Sequence, residues 1–238
     1  MKRVLITGAS RGIGKAIAAA FAKEGCHLYL VCKNNLASMQ AFAQELACTC
    51  HIQANCYSVD LGDQDALEAF LNTLPEMDVI INNAGISVVS LLTDMSLSDW
   101  NRILQVNLTG CFQICRALLP AMIRRRQGHI INISSVWGQA GASMEVAYSA
   151  TKGGLNSFTR ALAKEVAPSR VQVNAIACGL IDTDMNACFS KEDLEDVISE
   201  IPADRIGRPE EVAALCVQLV HAPGYLTGQI IALDGGWI

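Results

Sequence analysis

The sequence predicts an α/β fold: one domain built on a doubly wound parallel sheet of about seven strands, with helices on both faces. Three observations predict it. Short runs are almost continuously apolar, segments of helical period alternate with them, and no Pro- or Gly-rich linker, repeat or low-complexity run divides the 238 residues. Strands covered on both faces read as unbroken apolar runs, which marks a parallel sheet. In order, residues 4–6 read as a strand and residues 13–24 as a helix. Residues 27–32 form a second strand and 36–46 a second helix. Residues 52–59 are strand-like, 63–74 helical, and 78–82 a strand. A long helical region over residues 98–125 carries Ile103, Val106, Ile114, Leu118 and Met122 on its apolar positions. Residues 129–134, 171–177 and 229–233 are the remaining strands, and 146–166 and 210–221 the remaining helices. Right-handed crossovers between such strands leave ligands to bind beyond their C-terminal ends.

Composition narrows the function classes. Apolar residues make up 51% and charged residues 17%, ample for a large core and contrary to disorder. Length alone gives about 1.6 domains as a prior, and one α/β unit of this size is ordinary. A net charge of −5 disfavours nucleic acid or an anionic membrane as partner. Apolar stretches such as residues 212–215 fall far short of the ~18 residues of a membrane span. The signal-like start Met1-Lys-Arg-Val-Leu-Ile6 is cut by Thr7-Gly8, so a cytoplasmic chain is expected. Most of the ten cysteines lie in apolar segments (Cys26, Cys32, Cys111, Cys115, Cys178, Cys216) and read as small buried hydrophobes in a reducing compartment. Cys48-Thr-Cys50 has the wrong spacing for a zinc knuckle and the four histidines are scattered, so no metal is expected.

The first strand runs through Thr7-Gly-Ala-Ser-Arg-Gly-Ile-Gly14 straight into a helix. Gly8, Gly12 and Gly14 remove Cβ atoms where a backbone must turn tightly and approach a pyrophosphate at a helix N-terminus. Ser10, Arg11 and Ile13 complete this loop. The second strand ends Val31-Cys32-Lys33-Asn34, without the acid that would bind a ribose 2′-hydroxyl. Lys33 and Arg11 together suit a 2′-phosphate, hence NADP(H), although Lys33 also reads as a solvated strand end. Asp60-Leu61 closes the third strand, where the carboxylate can accept from an adenine amino group or cap the next helix. Asn82-Asn83-Ala84-Gly85 closes the fourth, either beside the nucleotide or as a plain turn.

Tyr148 and Lys152 lie four apart, but so do Tyr29 and Lys33, so the spacing proves nothing by itself. Four residues along a strand span ~13 Å, whereas positions i and i+4 of a helix are ~6 Å apart on one face. Tyr29 falls in a strand and Tyr148 in the helix of residues 146–166, so only the second pair can share a site. Ser135 ends the preceding strand, at the edge where ligands bind. A hydroxyl, a phenol and an ammonium with no paired base and nucleophile suit protonation of a carbonyl oxygen better than hydrolysis.

With these residues assembled, the sequence resembles the short-chain dehydrogenase/reductase family. The likeness runs in order through Thr7–Gly14, Asp60, Asn82–Gly85, Asn107, Ser135, Tyr148 with Lys152, and Gly179-Leu-Ile-Asp-Thr183, and Ser135 precedes Tyr148 by the family's usual 13 residues. Cys178 stands where the family commonly has Pro, and a looser loop over the nicotinamide is expected there. The resemblance implies one Rossmann-type NADP-binding domain over residues 1–238. It implies Tyr148 as general acid, Ser135 on the substrate oxygen, Lys152 on the nicotinamide ribose and lowering the phenol's pKa, and Asn107 holding a water in a proton relay. It further implies Gly179, Ile181 and Thr183 as cofactor contacts beside the glycine loop, Lys33, Asp60, Leu61, Asn83, Ala84 and Gly85. A homotetramer built on the helix around 100–125 and the Tyr148 helix is also implied.

Two substrate readings follow. The overall pattern is similar to 3-oxoacyl-[acyl-carrier-protein] reductases of fatty acid biosynthesis. Arg124-Arg125-Arg126 stands where those enzymes dock an acidic carrier, though their second docking arginine falls on Ser169, with Arg170 next, and the run also reads as a solvated helix end. The loop from Ser134 to Tyr148 and the ending Gly235-Gly-Trp-Ile238 resemble reductases of 5-aminopentanone-modified elongation factor P. There Glu145 would meet a substrate ammonium and Trp137 would wall the pocket, unless Glu145 merely favours its helix's dipole. The substrate is thus a small or carrier-tethered carbonyl. An NAD-linked alcohol or sugar dehydrogenase and a non-catalytic NADP(H)-sensing protein are the other readings. Residues 183–205, acidic and weakly periodic over 186–202, read as a substrate loop or lid.

Overall fold

The computed structural model of the chain describes residues 1–184 and 191–238. Seven strands form one all-parallel sheet: β1 (Arg3–Thr7), β2 (His27–Cys32), β3 (Ala54–Ser58), β4 (Val79–Asn82), β5 (Gly128–Ser135), β6 (Val171–Cys178) and β7 (Ile230–Leu233). Their order is β3-β2-β1-β4-β5-β6-β7. The helices are α1 (Gly12–Lys23), α2 (Leu36–Cys50), α3 (Gln64–Leu71), α4 (Leu97–Leu104), α5 (Gly110–Arg125), α6 (Trp137–Ala140), α7 (Val146–Val166), α8 (Lys191–Glu200) and α9 (Pro209–His221). The expected doubly wound sheet is present.

Each face of the sheet owns a core. Ile6, Leu28, Ile81 and Ile176 meet Ile17 and Phe21 of α1 and Val212 and Cys216 of α9. Leu5, Ile80, Ile130 and Val173 meet Ile114, Leu118 and Met122 of α5 and Val166 of α7. Side chains that alternate along each strand therefore enter different cores. Every strand must be apolar at nearly every position, which is why the sequence shows no period-2 alternation.

Several expectations shift. α2 runs on to Cys50, β3 begins at Ala54 rather than 52, and α3 ends at Leu71. The long helix is interrupted by one π-helical turn, Gln105–Thr109, between α4 and α5. Leu97–Arg125 is long and apolar enough by length and composition to cross a membrane, contrary to the expectation from short apolar runs. Its buried residues pack in the second core instead. The weakly periodic segment expected as a lid contains a regular helix, α8, while residues 185–190 of that segment lie outside the described residues. The nine described cysteines are free thiols, and Cys26, Cys32, Cys111, Cys115, Cys178 and Cys216 are buried.

Candidate active site

Strand order reverses between β1 and β4, so the loops that leave these neighbours diverge and open a crevice at the C-terminal edge. Thr7 and Asn83 stitch its walls together. The Thr7 hydroxyl accepts from the N–H groups of Asn83 and Ala84, each at 3.0 Å. Asn83 Nδ2 donates to the carbonyls of Thr7 at 2.8 Å and Gly8 at 3.2 Å. A Cβ on Gly14 would lie 2.2 Å from the Gly8 oxygen, so only glycine lets the first turn of α1 pass this close. Arg11 precedes α1 with extended backbone and makes no side-chain cap, so the N–H groups of the first turn face the crevice uncapped. Across it, Thr183 Cγ2 lies 3.2 Å from a Cβ on Gly12, bringing the 179–183 loop over the glycine loop.

α7 carries Tyr148 and Lys152 on one face, whereas Tyr29 is inside β2 and Lys33 lies exposed beyond it. Lys152 is buried, its Nζ donates to Ile133 O at 2.8 Å and it sits 5.4 Å from the centre of the Tyr148 ring. Ser135, at the end of β5, hydrogen-bonds the phenol. A polar ladder fixes this register. Ser134 Oγ donates to Asn156 Oδ1 at 2.7 Å, Asn156 Nδ2 to Gly138 O at 3.2 Å, and Asn132 Nδ2 to Thr159 Oγ1 at 2.8 Å. Asn156 and Thr159 follow Lys152 at i+4 and i+7 and extend it into a buried polar stripe that the helical spacing displays. Asn156→Ala is expected to cost about 1–3 kcal/mol, because Ser134 and Gly138 lose buried partners; urea unfolding measures it.

Burial governs the electrostatics. It pushes the Tyr148 phenol above its ordinary range, nearby Cys178 and Glu145 add to this, and the Ser135 bond opposes it. The Lys152 ammonium is pushed down by the same burial. Desolvation disfavours the charged forms of both groups and is the largest influence on each.

Asn107 occupies the π turn, a feature frequent at functional sites. Its amide clamps Ile86 from both ends: Oδ1 accepts from Ile86 N and Nδ2 donates to Ile86 O, each at 2.9 Å. Asn107 Oδ1 and Lys152 Nζ flank Gly85, each 3.5 Å from where its Cβ would be.

Asp60 does not cap the next helix; it gathers cations instead. Its Oδ1 accepts from Arg102 Nη2 at 2.6 Å and Gly62 N at 2.8 Å, and its Oδ2 pairs with Lys33 Nζ at 3.0 Å. The cap of α3 is Asp63, which accepts from Ala66 N at 3.0 Å. Arg102, on the helix before the π turn, was not singled out from the sequence, since a lone arginine there reads as solvated surface. Burial works to raise the Asp60 pKa, but Arg102, Gly62 N–H and Lys33 together pull it down to about 2 from 3.8. A depressed carboxylate stabilises the fold above its unfolded pKa and loses that contribution as pH falls through its folded pKa. The contribution should therefore be intact at pH 4 and above and fade between 4 and about 2. Arg102→Leu should move this loss to higher pH, read as Tm against pH. Leu61 is buried behind Asp60, and Arg11 pairs with Asp184 at 3.3 Å, both side chains about two-thirds exposed.

On the substrate side, Trp137 stands half-buried two residues after Ser135, at the start of α6, and its backbone N–H donates to Ser135 Oγ at 3.2 Å. Glu145 caps nothing. Its Oε1 accepts from Ser87 Oγ at 2.5 Å, so the carboxylate is turned toward the crevice loop rather than serving the dipole of α7. Ser87 was not anticipated. Cys178 does not loosen its loop: it is the last residue of β6, its O accepts from Val136 N at 2.9 Å, and Gly179 N donates to Leu233 O at 3.0 Å. Ile181 is buried and bridged to Gly207. The arginine run lies at the strands' other end: Arg124 and Arg125 pair with Glu76, Arg125 with Asp78, and Arg126 donates to Pro168 O. These partners anchor the run at the surface, where the Arg124 side chain stays about two-thirds exposed.

Residues 2–194 match the model of the short chain dehydrogenase family. The chain belongs to that family. This short-chain dehydrogenase is 39% identical over 238 residues to the "uncharacterized oxidoreductase YmfI" of Bacillus subtilis, covering 99% of this chain and 98% of that one. It is 41% identical to the 3-oxoacyl-[acyl-carrier-protein] reductase FabG of Aquifex aeolicus, covering 98% and 95%. Among solved structures, a 3-oxoacyl-[acyl-carrier protein] reductase of Brucella melitensis with bound NAD superposes at TM-score 0.90, with 36% identity over 100% of this chain and 91% of that one. A putative NAD(P)-dependent gluconate 5-dehydrogenase of Beutenbergia cavernae with bound NADP superposes at 0.94, with 32% identity and coverage of 99% and 96%. The short-chain dehydrogenase described here is thus an oxidoreductase whose relatives bind NAD or NADP.

Proposed function

We propose that the chain is an NADPH-dependent carbonyl reductase that transfers hydride to a ketone, on the pattern of the 3-oxoacyl-[acyl-carrier-protein] reductases it resembles. One observation carries the reading: Ser135, Tyr148 and Lys152 gather on one edge of the sheet beside the glycine loop, with Asn107 behind them. The crevice fits a dinucleotide, since Gly14 lets the first turn of α1 pack close against the glycine loop and that turn offers uncapped N–H groups to a pyrophosphate. NADPH, when bound, supplies the hydride. Tyr148 delivers a proton to the ketone oxygen, and burial, which raises its pKa, keeps the phenol in the protonated form that can donate. Ser135 donates to the same oxygen, Lys152 steadies the phenolate that remains, and Asn107 holds a water that returns the proton.

Cofactor choice rests on Lys33 and Arg11. Both are tied to carboxylates, but the pairs are exposed ones worth about 0–1 kcal/mol. A doubly charged 2′-phosphate accepting charge-assisted bonds from both side chains outweighs that. Asp60, Leu61, Asn83, Ala84, Gly85, Gly179, Ile181 and Thr183 line the proposed remainder of the cofactor cleft, and residues 183–205 border the substrate. Cytoplasmic residence and a homotetramer through α5 and α7 complete the proposal; Phe112, Ile123 and Val146 are exposed there.

A second reading, an amino-ketone such as 5-aminopentanone-modified elongation factor P, draws on Glu145. Its carboxylate hangs from Ser87 instead of capping α7 and is close enough to Tyr148 to raise its pKa. Turnover of a carbonyl panel at 340 nm with NADPH and NADH tests both. Acetoacetyl thioesters reduced faster with NADPH support the first reading. A preference for the amino-ketone, lost in Glu145→Gln, supports the second, and oxidation of alcohols with NAD alone overturns both.

A further inference from the structure

The last four residues take no part in the chemistry proposed above, yet the structure brings them to its wall. After β7 the chain turns on Asp234, whose Oδ1 accepts from Gly236 N at 3.0 Å and whose Oδ2 accepts from Ile238 N at 3.2 Å. Gly235 and Gly236 hold φ of 71° and 86°, a region glycine occupies without strain, so the tail can double back sharply. Trp237 is thereby set edge-on to Trp137, with ring centroids 4.9 Å apart and planes at 64°, the favoured geometry for an aromatic pair.

Both ends of this pair are anchored. Trp237 Nε1 donates to Oε2 of Glu200, the last residue of α8, at 3.3 Å. Ala203 N donates to Gly235 O at 3.0 Å, and a Cβ on Gly235 would lie 2.8 Å from Ile201 Cγ2, so the tail and the end of α8 pack as one piece. On the other side Trp137 N donates to Ser135 Oγ. Gly138, the next residue, is pressed against α7, where a Cβ would be 2.7 Å from the Lys152 carbonyl carbon. The two rings therefore link α8 to the strand end and helix that hold Ser135 and Lys152. Both indoles are only half-buried, leaving apolar ring surface uncovered near the strand end that carries Ser135.

We propose that Trp237 is a specificity-determining residue: together with Trp137 it forms an aromatic wall that takes the apolar arm of a ketone, and its bond to Glu200 holds that wall in register with α8. The proposal rests on the reductase reading. It commits the pocket to ketones whose carbonyl bears an extended apolar arm, and it assigns Trp237 no contact with the reacting atoms.

The test compares short and long 3-oxoacyl thioesters on the full chain. Trp237→Ala should raise KM for the long substrate about tenfold with kcat within about twofold, and leave KM for the short one nearly unchanged. Trp237→Phe keeps a ring but loses the Glu200 bond, so it should fall between, and Glu200→Ala, which removes the acceptor, should resemble it. A thermal midpoint and NADPH affinity close to wild type in Trp237→Phe show that folding and the cofactor site are intact. A second readout does not need turnover. With Trp100 and Trp137 replaced by Phe, fluorescence of Trp237 should be quenched by the long thioester and not by the short one. Equal KM changes for both lengths, or a Trp237 signal blind to the long thioester, overturn the wall. A wild-type chain that reduces no ketone overturns the reductase reading instead, and the fluorescence then decides the wall by itself.

Discussion

Tyr148→Phe is expected to fold, to bind NADPH and to lose nearly all turnover. The ring keeps its packing, and only the hydroxyl with its bond to Ser135 is removed, which costs about 0.5–1.5 kcal/mol of stability. General acid catalysis by a placed group contributes roughly 10²–10⁴-fold, which is the loss expected on removing the phenol. Lys152 is no substitute, because its ammonium is directed to Ile133 O and lies over the face of the ring. Three measurements on one preparation separate the effects: thermal midpoint, NADPH fluorescence titration, and initial rate at saturating ketone. A variant with rates like wild type would remove Tyr148 from the chemistry and leave a nucleotide-binding scaffold.

Gly14→Ala should act by a different route. The new Cβ would meet the Gly8 oxygen at 2.2 Å and Asn83 Nδ2 at 2.6 Å, and the first of these is backbone that cannot swing aside. Either α1 shifts along its axis or the glycine loop parts from Asn83, undoing the bonds between β1 and β4. Overpacking of this kind costs about 1–3 kcal/mol, or roughly 2–4 °C of Tm per kcal/mol in a chain of this size. Because the same atoms shape the crevice, NADPH affinity should fall by about tenfold or more, and a given concentration of NADPH should raise Tm less than in the wild type. Gly224→Ala is the control, since nothing lies within 4 Å of its Cβ position. Its stability should stay within about 0.5 kcal/mol of wild type.

How far the sequence reached depended on the range of the interaction. The glycine loop, Asn82-Asn83-Ala84-Gly85 and the Tyr148/Lys152 spacing are local: each follows from chain geometry within one turn or one helix, and each was legible. Ser135 was legible as well, because a strand end before a loop is set by the same apolar pattern that builds the sheet. Asp60 was not. Its partners Arg102 and Lys33 lie 42 and 27 positions away, and only the order β3-β2-β1-β4 with α4 above it brings them to one carboxylate. Glu145 was visible as an acid at a helix start, but its turn toward Ser87, 58 positions away, belongs to the packed loops. The arginine run was visible as charge, while its engagement with Glu76 and Asp78 required β4 and β5 to begin side by side.

The sequence by itself determined the element order, the parallel sheet, the crevice at its C-terminal edge and the residues with chemistry to offer there. Those follow from hydrophobic periodicity and from which residues can adopt a tight turn, both properties of short stretches of chain. Tertiary structure alone decided which charges are paired, which way the carboxylates face, in which direction burial moves the Tyr148 and Lys152 pKa values, and that Trp237 joins Trp137. Pairing and desolvation depend on neighbours distant in the chain, so they exist only once the layers have closed on one another.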